Sequence, residues 1–327
     1  MIQMKKTVIL YKKISAEQQQ RLEDHFNLIY FDGINESNKQ NFVTALENAD
    51  GLIGASVPIN SEFLRNAPRL KAISTISVGY DNFDVDDLTK RGIRLMHTPH
   101  VLTDTTADTV FTLILATARR AVELSMMVRS GKWHKSIDAE YYGTDVHHKT
   151  IGILGMGRIG QAVAKRAFCG FDMKVLYTDK SINQYVEQTY DAEYCSLDDL
   201  LQRSDFVCIT LPLLPTTEKL ITSQKFALMK KSAILINGAR GKIVDQQALI
   251  EALQNGTIKA AGLDVFEIEP LPQDSPLMGL KNVVLLPHIG SATIETRAAM
   301  VSCAVDNLIM ALQPEKPDAN WVNPTVG

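Results

Sequence analysis

The chain carries a glycine-rich turn, Gly155-Met156-Gly157-Arg158-Ile159-Gly160, directly after the apolar run Ile151-Gly152-Ile153-Leu154, near the middle of its 327 residues. The run is typical of a buried parallel strand, and residues 161–168 after the turn have the pattern of a helix. Three glycines between strand and helix let the backbone approach a pyrophosphate, whose charge the helix N-terminus then holds. Glycine turns also serve packing alone, so the motif gains specificity only from this context. We therefore predict a dinucleotide site at Gly155, Gly157 and Gly160.

The central position of this turn implies that another folded unit precedes it. Short β-type runs alternate there with helical stretches, a pattern typical of a parallel, doubly wound sheet covered on both faces. The predicted strands are 8–11, 28–31, 51–55, 71–77 and 93–97 before the turn, and 150–154, 173–177, 206–210, 233–237, 260–264 and 283–286 from the turn onwards. We also predict one long helix over 103–130 that carries the chain to the second unit, and a last helix over 292–312 that returns to the first.

These elements predict an α/β protein with two doubly wound parallel-sheet domains and an interdomain cleft. One is a flavodoxin-like substrate domain, expected to be discontinuous, with residues 1–98 plus 291–327. The other is a Rossmann domain that binds NAD(P), expected over residues 99–290.

Composition and charge argue against several other classes of function. A net charge of -3 gives no electrostatic reason to expect nucleic acid or an anionic membrane as a partner. The apolar run near the N-terminus is too short for a signal peptide and no stretch could span a bilayer, so we expect a cytoplasmic protein. The four cysteines form no CxxC pair and the histidines show no ligand spacing, so no metal site is predicted.

An acidic residue, Asp179, ends the strand that follows the glycine-turn helix. In a dinucleotide-binding unit a carboxylate at this place accepts hydrogen bonds from both adenosine ribose hydroxyls and repels a 2′-phosphate. Lys180 follows at once and could meet a 2′-phosphate. The alternative is that Asp179 merely starts a turn, as aspartates often do. The predicted cofactor is NAD(P)H, with NADH favoured by Asp179 and NADPH possible through Lys180.

Polar side chains follow three later strands, namely Arg240, Glu269 and His288. Since open α/β sheets bind ligands at the carboxyl ends of their strands, we expect these side chains to converge beside the nicotinamide. A histidine can protonate a carbonyl oxygen near neutral pH, and a paired carboxylate favours and orients its charged form. An arginine can hold a substrate carboxylate and polarise the keto oxygen. The backbone N–H groups of Val78 and Gly79, at a strand end in the first unit, could also bind that carboxylate. Together these groups suit hydride reduction of a 2-oxo acid.

Each of these residues also has a simpler interpretation. Arg240 could cap its strand or pair with Asp264, Glu269 could be a solvated loop carboxylate, and His288 could be a structural turn residue. Taken singly, each functional role is little better supported than its alternative. Their joint occurrence behind a dinucleotide turn favours the catalytic interpretation.

The segments that carry this constellation resemble those of the D-isomer-specific 2-hydroxyacid dehydrogenase family over essentially the whole chain. They are residues 75–82, 155–160, 237–241, 262–270 and 287–293. Within that family, residues 142–150 and 204–208 are especially similar to the bacterial glyoxylate/hydroxypyruvate reductase B (2-ketogluconate reductase) branch.

The resemblance implies NAD(P)H-dependent reduction of glyoxylate, hydroxypyruvate or 2-ketogluconate to D-2-hydroxy acids, with Arg240 as substrate binder, Glu269 as partner of the catalytic histidine and His288 as acid/base. It places substrate contacts at Val78, Gly79, Arg240, His288 and Ser291. The cofactor contacts it implies are Gly157, Arg158, Ile159, Pro212, Gly238, Asp264 and Gly290. It also implies a homodimer with residues 133–150 in the interface.

Two other functions use a similar nucleotide turn. A dinucleotide-sensing protein of the transcriptional corepressor type could keep the arginine, glutamate and histidine on the same fold. A methyltransferase would use the turn for a different nucleotide and would leave the three later residues unexplained.

Overall fold

Two compact units, each built on a parallel sheet, make up the chain. The structure is a computed structural model and describes residues 5–55, 57–313 and 320–324. The first unit comprises Met1–Leu102 and Ala292–Gly327, and the second comprises Thr103–Ser291. The predicted fold class, α/β with two parallel sheets, is confirmed.

Strands and helices alternate along most of the chain. The strands are β1 (Thr7–Leu10), β2 (Asn27–Tyr30), β3 (Gly51–Gly54), β4 (Ala72–Thr75), β5 (Arg94–Met96), β6 (Thr150–Leu154), β7 (Lys174–Thr178), β8 (Glu193–Tyr194), β9 (Phe206–Ile209), β10 (Ile234–Asn237), β11 (Ala260–Leu263) and β12 (Val283–Leu285). The α-helices are α1 (Ala16–His25), α2 (Lys39–Leu46), α3 (Ser61–Leu64), α4 (Val85–Lys90), α5 (Thr103–Ala118), α6 (Ala121–Arg129), α7 (Arg158–Phe171), α8 (Gln184–Tyr190), α9 (Leu197–Arg203), α10 (Ser223–Phe226), α11 (Gln246–Gln254) and α12 (Ile294–Leu312).

The first unit has the sheet order β2-β1-β3-β4-β5, the flavodoxin-like order that the sequence predicts. Alternate strand residues point to opposite faces, so each face has its own core. Ile9 and Leu52 pack with Phe42 of α2 on one face. On the other face α12 lies so close to β3 that a Cβ on Gly51 would come within 2.8 Å of the Leu312 side chain.

The second unit has the sheet order β12-β11-β10-β9-β6-β7-β8. The chain builds from β6 towards β8 and then returns to β9 on the other side, so the strand order reverses between β6 and β9. Helices α5 and α7 cover one face and α9 and α11 cover the other. Ligands of open α/β sheets bind at the carboxyl ends of the strands beside such a reversal.

The long helix predicted over 103–130 is wrong, because it is broken into α5 and α6. Arg120 adopts a left-handed φ of 53°, and the carbonyl of Ala118 accepts a hydrogen bond from the N–H of Thr144 at 2.8 Å instead of continuing the helix. Gly143 permits this approach, since a Cβ there would lie 2.5 Å from the same carbonyl. The break thus results from a distant segment that competes for a helical carbonyl, which local sequence does not reveal.

The short strand β8, for which the sequence predicts no strand, forms one edge of the second sheet. Its Glu193 carboxylate accepts hydrogen bonds from both Nη atoms of Arg203 at 2.7 Å, and Lys174 Nζ lies 3.2 Å from it. The Arg203 hydrogen bonds, opposed by partial burial and helped by Lys174, lower the pKa of Glu193 to about 2. These side chains tie β7, β8 and α9 together.

Candidate active site

The glycine turn lies beside the strand-order reversal of the second sheet. Gly155 has a φ of 96°, and Gly157 is the N-cap of α7. The helix begins at Arg158 rather than at residue 161 as predicted, so Arg158, Ile159 and Gly160 form its first turn. A Cβ on Gly160 would lie 2.1 Å from the carbonyl oxygen of Gly155, so only glycine allows the helix to start this close to the strand.

Asp179 follows β7 directly, and both of its carboxylate oxygens are engaged. One accepts the N–H of Met156 in the glycine turn at 2.6 Å, and the other accepts the N–H of Lys180 at 2.6 Å. The second contact is to the next residue, and not the bond to the N–H two residues on by which an aspartate starts a turn. The first holds the carboxylate against the glycine turn, where an adenosine ribose would be recognised.

The loop after β9 carries Pro212, which is exposed. Its carbonyl accepts a hydrogen bond from Thr217 Oγ1 at 2.7 Å. Just before it, Thr210 Oγ1 donates to the carbonyl of Gly155 at 2.6 Å. This loop therefore lies beside the glycine turn at the carboxyl edge of the sheet.

The loop after β10 is shaped by a buried amide. Asn237 donates through Nδ2 to the carbonyl of Arg240 at 3.0 Å and accepts the N–H of Ala239 through Oδ1 at 3.1 Å. Arg240 Nη1 donates to the carbonyl of Ala239 at 2.8 Å. Gly238 packs against α5, where a Cβ would lie 2.8 Å from Val110. The loop backbone that carries Arg240 is thus fixed by its own sequence.

Gly241 brings this loop onto the next one. A Cβ on Gly241 would lie 1.9 Å from the carbonyl carbon of Phe266, so the two backbones are in direct contact. The loop of Phe266 also carries Glu269. Arg240 and Glu269 are therefore neighbours in space because glycine occupies position 241.

Asp264 is buried and holds the loop that contains His288. Its two carboxylate oxygens accept the N–H groups of Ile289 and Gly290 at 2.7 and 2.8 Å. Burial raises the pKa of Asp264, and these backbone hydrogen bonds oppose that rise. In this structure the carboxylate serves the backbone of the histidine loop, a role that the sequence analysis did not assign to it. The signal for it was an aspartate directly after a strand, beside a glycine-containing loop.

His288 and Glu269 form a hydrogen-bonded pair, with Nδ1 lying 2.7 Å from Oε2. The other Glu269 oxygen accepts the N–H of Phe266 at 3.0 Å. Burial alone would raise the pKa of Glu269, but the bonds from His288 and Phe266, together with the charges of His288 and Arg240, lower it. The pair is half-exposed, so a ligand can reach the histidine. Such a pair can donate and accept a proton, and Arg240 beside it can hold an anion.

Ser291 follows Gly290 at the end of the second unit and is half-buried. Val78 and Gly79 lie in the first unit, just after β4. Their N–H groups have no hydrogen-bond acceptor among the residues that the structure describes. The carbonyl of Val78 accepts from His97 Nδ1 at 2.9 Å, and that of Gly79 accepts from Ser77 Oγ at 2.5 Å.

Membrane spans and metal sites are both absent from the described residues. Within them, no helix is long and apolar enough to cross a membrane. Nor do these parts of the chain contain a group of three or more His, Cys, Asp or Glu side chains that could hold a metal ion.

Comparison with known proteins identifies the second unit. Residues 111–290 match the family model described as the D-isomer specific 2-hydroxyacid dehydrogenase, NAD binding domain. Proteins named glyoxylate/hydroxypyruvate reductase B from Yersinia pestis (strain Pestoides F) and Yersinia pseudotuberculosis (serotype O:1b, strain IP 31758) are 57% identical over 323 residues, which is 99% of each chain.

Solved structures agree over both units. A protein from Thermus thermophilus has a TM-score of 0.88 at 40% identity and covers 97% of this chain and 99% of its own. An NADPH-dependent glyoxylate/hydroxypyruvate reductase from Sinorhizobium meliloti, solved in complex with NADP and malonate, has a TM-score of 0.85 at 29% identity and covers 98% of each chain.

Proposed function

The chain belongs to the D-isomer specific 2-hydroxyacid dehydrogenase family and is an NAD(P)H-dependent reductase of 2-oxo acids, and we propose that glyoxylate and hydroxypyruvate are its substrates. The products would be the D-2-hydroxy acids, and 2-ketogluconate is a further candidate substrate because it presents the same 2-oxo carboxylate. The observation that carries the proposal is the His288–Glu269 pair at 2.7 Å beside the loop of Arg240.

The second unit has features that fit a dinucleotide. Gly157 caps a 14-residue helix, and a Cβ placed on Gly157 would meet nothing within 4 Å. The first-turn N–H groups at Arg158, Ile159 and Gly160 and the positive helix end would hold the pyrophosphate. We propose further contacts at Gly155, Asp179, Lys180, Pro212, Gly238, Asp264 and Gly290. When bound, the cofactor supplies the hydride that reaches the substrate carbonyl carbon.

The side chains supply the remaining chemistry. We propose that Arg240 holds the substrate carboxylate and polarises the keto oxygen through its planar guanidinium. His288, as an imidazolium, gives its proton to the keto oxygen as the carbonyl carbon is reduced. Glu269 keeps the imidazole oriented through Nδ1, which leaves Nε2 as the proton donor, and its negative charge stabilises the imidazolium.

In the first unit, the N–H groups of Val78 and Gly79 are proposed as further donors to the substrate carboxylate, and Ser291 as a further substrate contact. Two adjacent N–H groups without an internal acceptor form a suitable anion site. The first unit is thus proposed as the substrate domain.

We propose a homodimer as the assembly. Helix α6, all of which the structure describes, has no buried residue, although it contains Val122, Met126 and Val128. Further along, Trp133 and Tyr142 are 59% and 61% exposed. Large apolar side chains concentrated in one segment favour an interface there. Sedimentation of the wild type and of Met126→Lys tests it: a monomeric wild type, or an unchanged dimer in the variant, would contradict the placement.

The substrate proposal is tested with purified protein, NADH or NADPH, and a panel of glyoxylate, hydroxypyruvate and 2-ketogluconate. We expect loss of cofactor absorbance with the first two substrates at least, and a D-configured product from hydroxypyruvate. His288→Ala should lower kcat by roughly 10²–10⁴-fold, the range for a lost general acid. The matched control is His25→Ala, which removes an exposed histidine at a helix end of the first unit. Oxidation of neither cofactor with any of the panel would refute the proposed function.

A further inference from the structure

His97, just after β5 in the first unit, is held at three points by its surroundings. Its N–H donates to the carbonyl of Asn320 at 3.1 Å, and its own carbonyl accepts from Asn307 Nδ2 at 2.8 Å. Its ring lies edge-to-face with Tyr80, with centroids 5.7 Å apart. The first two contacts fix the backbone of His97, and the third packs its imidazole against Tyr80.

From this fixed position the ring acts on the loop after β4. His97 Nδ1 lies 2.9 Å from the carbonyl oxygen of Val78. Because a carbonyl can only accept, Nδ1 carries the proton and Nδ1–H is the donor. The Nδ1–H of the imidazole is therefore bound to a backbone carbonyl of the loop that offers the Val78 and Gly79 N–H groups.

The carbonyl of one residue and the N–H of the next share a rigid plane and, in a trans peptide, point in opposite directions. A bond to the carbonyl of Val78 therefore fixes the direction of the Gly79 N–H. In the same way, the N–H of Thr98 donates to the carbonyl of Ser77 at 2.9 Å and fixes the Val78 N–H. Consecutive residues, His97 and Thr98, thus orient the consecutive N–H groups of Val78 and Gly79.

We propose that His97 is a positioning residue for substrate binding: its Nδ1–H bond to Val78 aims the Gly79 N–H at the substrate carboxylate. This rests on the proposed function of those two N–H groups. His97 itself touches neither substrate nor cofactor in this role. Asn307 of α12 and the carbonyl of Asn320 hold the backbone of His97 in place, so residues 307 and 320 contribute to the carboxylate site through His97.

The test compares asparagine and glutamine at position 97, because their side-chain amides lie at different distances from the backbone. The Nδ2 of asparagine can take the place of histidine Nδ1, whereas the Nε2 of glutamine cannot. We expect His97→Gln and His97→Ala to raise the KM for glyoxylate about tenfold, with kcat changed less and the dissociation constant of NAD(P)H unchanged. His97→Asn should restore KM to within about threefold of the wild type. A change of about tenfold corresponds to about 1.4 kcal/mol.

The matched control is His25→Gln, since His25 Nδ1 also lies 2.9 Å from a backbone carbonyl, that of Arg21, at an exposed helix end of the same unit. Its KM should match the wild type. Equal KM values for the Asn and Gln variants, an effect confined to thermal stability, or loss of folding in both the Gln and Ala variants would make His97 purely structural and overturn the proposal. A wild type that reduces no 2-oxo acid would refute the proposed function itself, and the role of His97 with it.

Discussion

His288 Nδ1 lies 2.7 Å from Glu269 Oε2, while His288 holds a left-handed backbone φ of 53°. A non-glycine residue in that region costs about 1–2 kcal/mol. The two N–H bonds that Asp264 accepts from the residues after His288 help to offset this cost. The histidine is therefore oriented by its backbone as well as by its partner, within a single unit of the chain.

Glu269→Gln should lower kcat/KM for reduction by about 10²-fold or more, since it leaves His288 without a charged partner. The pKa of Glu269 lies below its ordinary value, so the wild-type carboxylate is charged across the neutral range. As the pH falls through the lowered pKa of Glu269, the wild-type carboxylate is itself neutralised and its advantage over glutamine is lost. The difference in kcat/KM between wild type and variant should therefore shrink at acid pH.

The control for this pH–rate profile is Glu267→Gln, which neutralises a carboxylate of the same loop whose ion-pair partner is Lys219 at 3.9 Å. It should leave the profile unchanged. An identical profile for Glu269→Gln and the wild type would contradict the proposed pairing.

Gly241→Ala should separate the Arg240 and Glu269 loops, because its Cβ would overlap the backbone of Phe266 at 1.9 Å. We expect kcat/KM to fall by about 10²-fold or more, the usual result of misplacing catalytic groups by about 1 Å. Gly279→Ala is the matched control, since a Cβ at Gly279 meets nothing within 4 Å. Steady-state kinetics of the two variants measure this effect. Equal kcat/KM values would show that the close contact between Gly241 and Phe266 is dispensable.

Asp179→Asn should shift cofactor preference towards NADPH, because it removes the charge that repels a 2′-phosphate but keeps an acceptor for the N–H of Met156. The ratio of kcat/KM for NADPH to that for NADH should rise about tenfold, or about 1.4 kcal/mol. Asp172→Asn is the control, at an exposed left-handed helix end of the same unit. A ratio that does not move, or a wild type that already prefers NADPH strongly, would remove Asp179 from cofactor selection.

Glu193→Gln should make the stability of the protein less dependent on acid pH. The pKa of Glu193 is lowered from 4.5 to about 2 by Arg203, so the charged form stabilises the fold above about pH 4.5 and this contribution is lost as the pH falls towards 2. The difference in unfolding free energy between wild type and variant should therefore be largest near pH 6 and shrink towards pH 2. Because the pair is partly exposed, its contribution is at most about 1 kcal/mol.

Denaturant unfolding at several pH values measures this difference. Glu36→Gln, at an exposed turn residue of the first unit, serves as the comparison. A difference for Glu193→Gln that grows as the pH falls would contradict the assigned direction of the shift.

The sheets were predictable because their strands are buried on both faces and appear as short apolar runs between helices. The family was also predictable, and the 57% identical relatives confirm that resemblance. The break at Arg120 and the start of α7 at Arg158 were not predictable. The break depends on contacts between backbone groups that are far apart in the sequence, and the helix start depends on backbone contacts around a glycine.

The active site likewise combines features that could be predicted from the sequence with features that could not. Residue types at strand ends identified Arg240, Glu269 and His288 as candidates, whereas the bonds from Asp264 to the following loop, and the contact of Gly241 with Phe266, required coordinates.

Because α12 packs against β3 and β4, the two units finish folding in a fixed order during synthesis. All residues of the second unit have left the ribosome once Ser291 has emerged, but the first sheet still lacks α12 at that time. Until Leu312 follows, the nascent chain carries Val8 and Gly51 on an uncovered apolar surface. The unit whose synthesis begins first is therefore the last to finish folding.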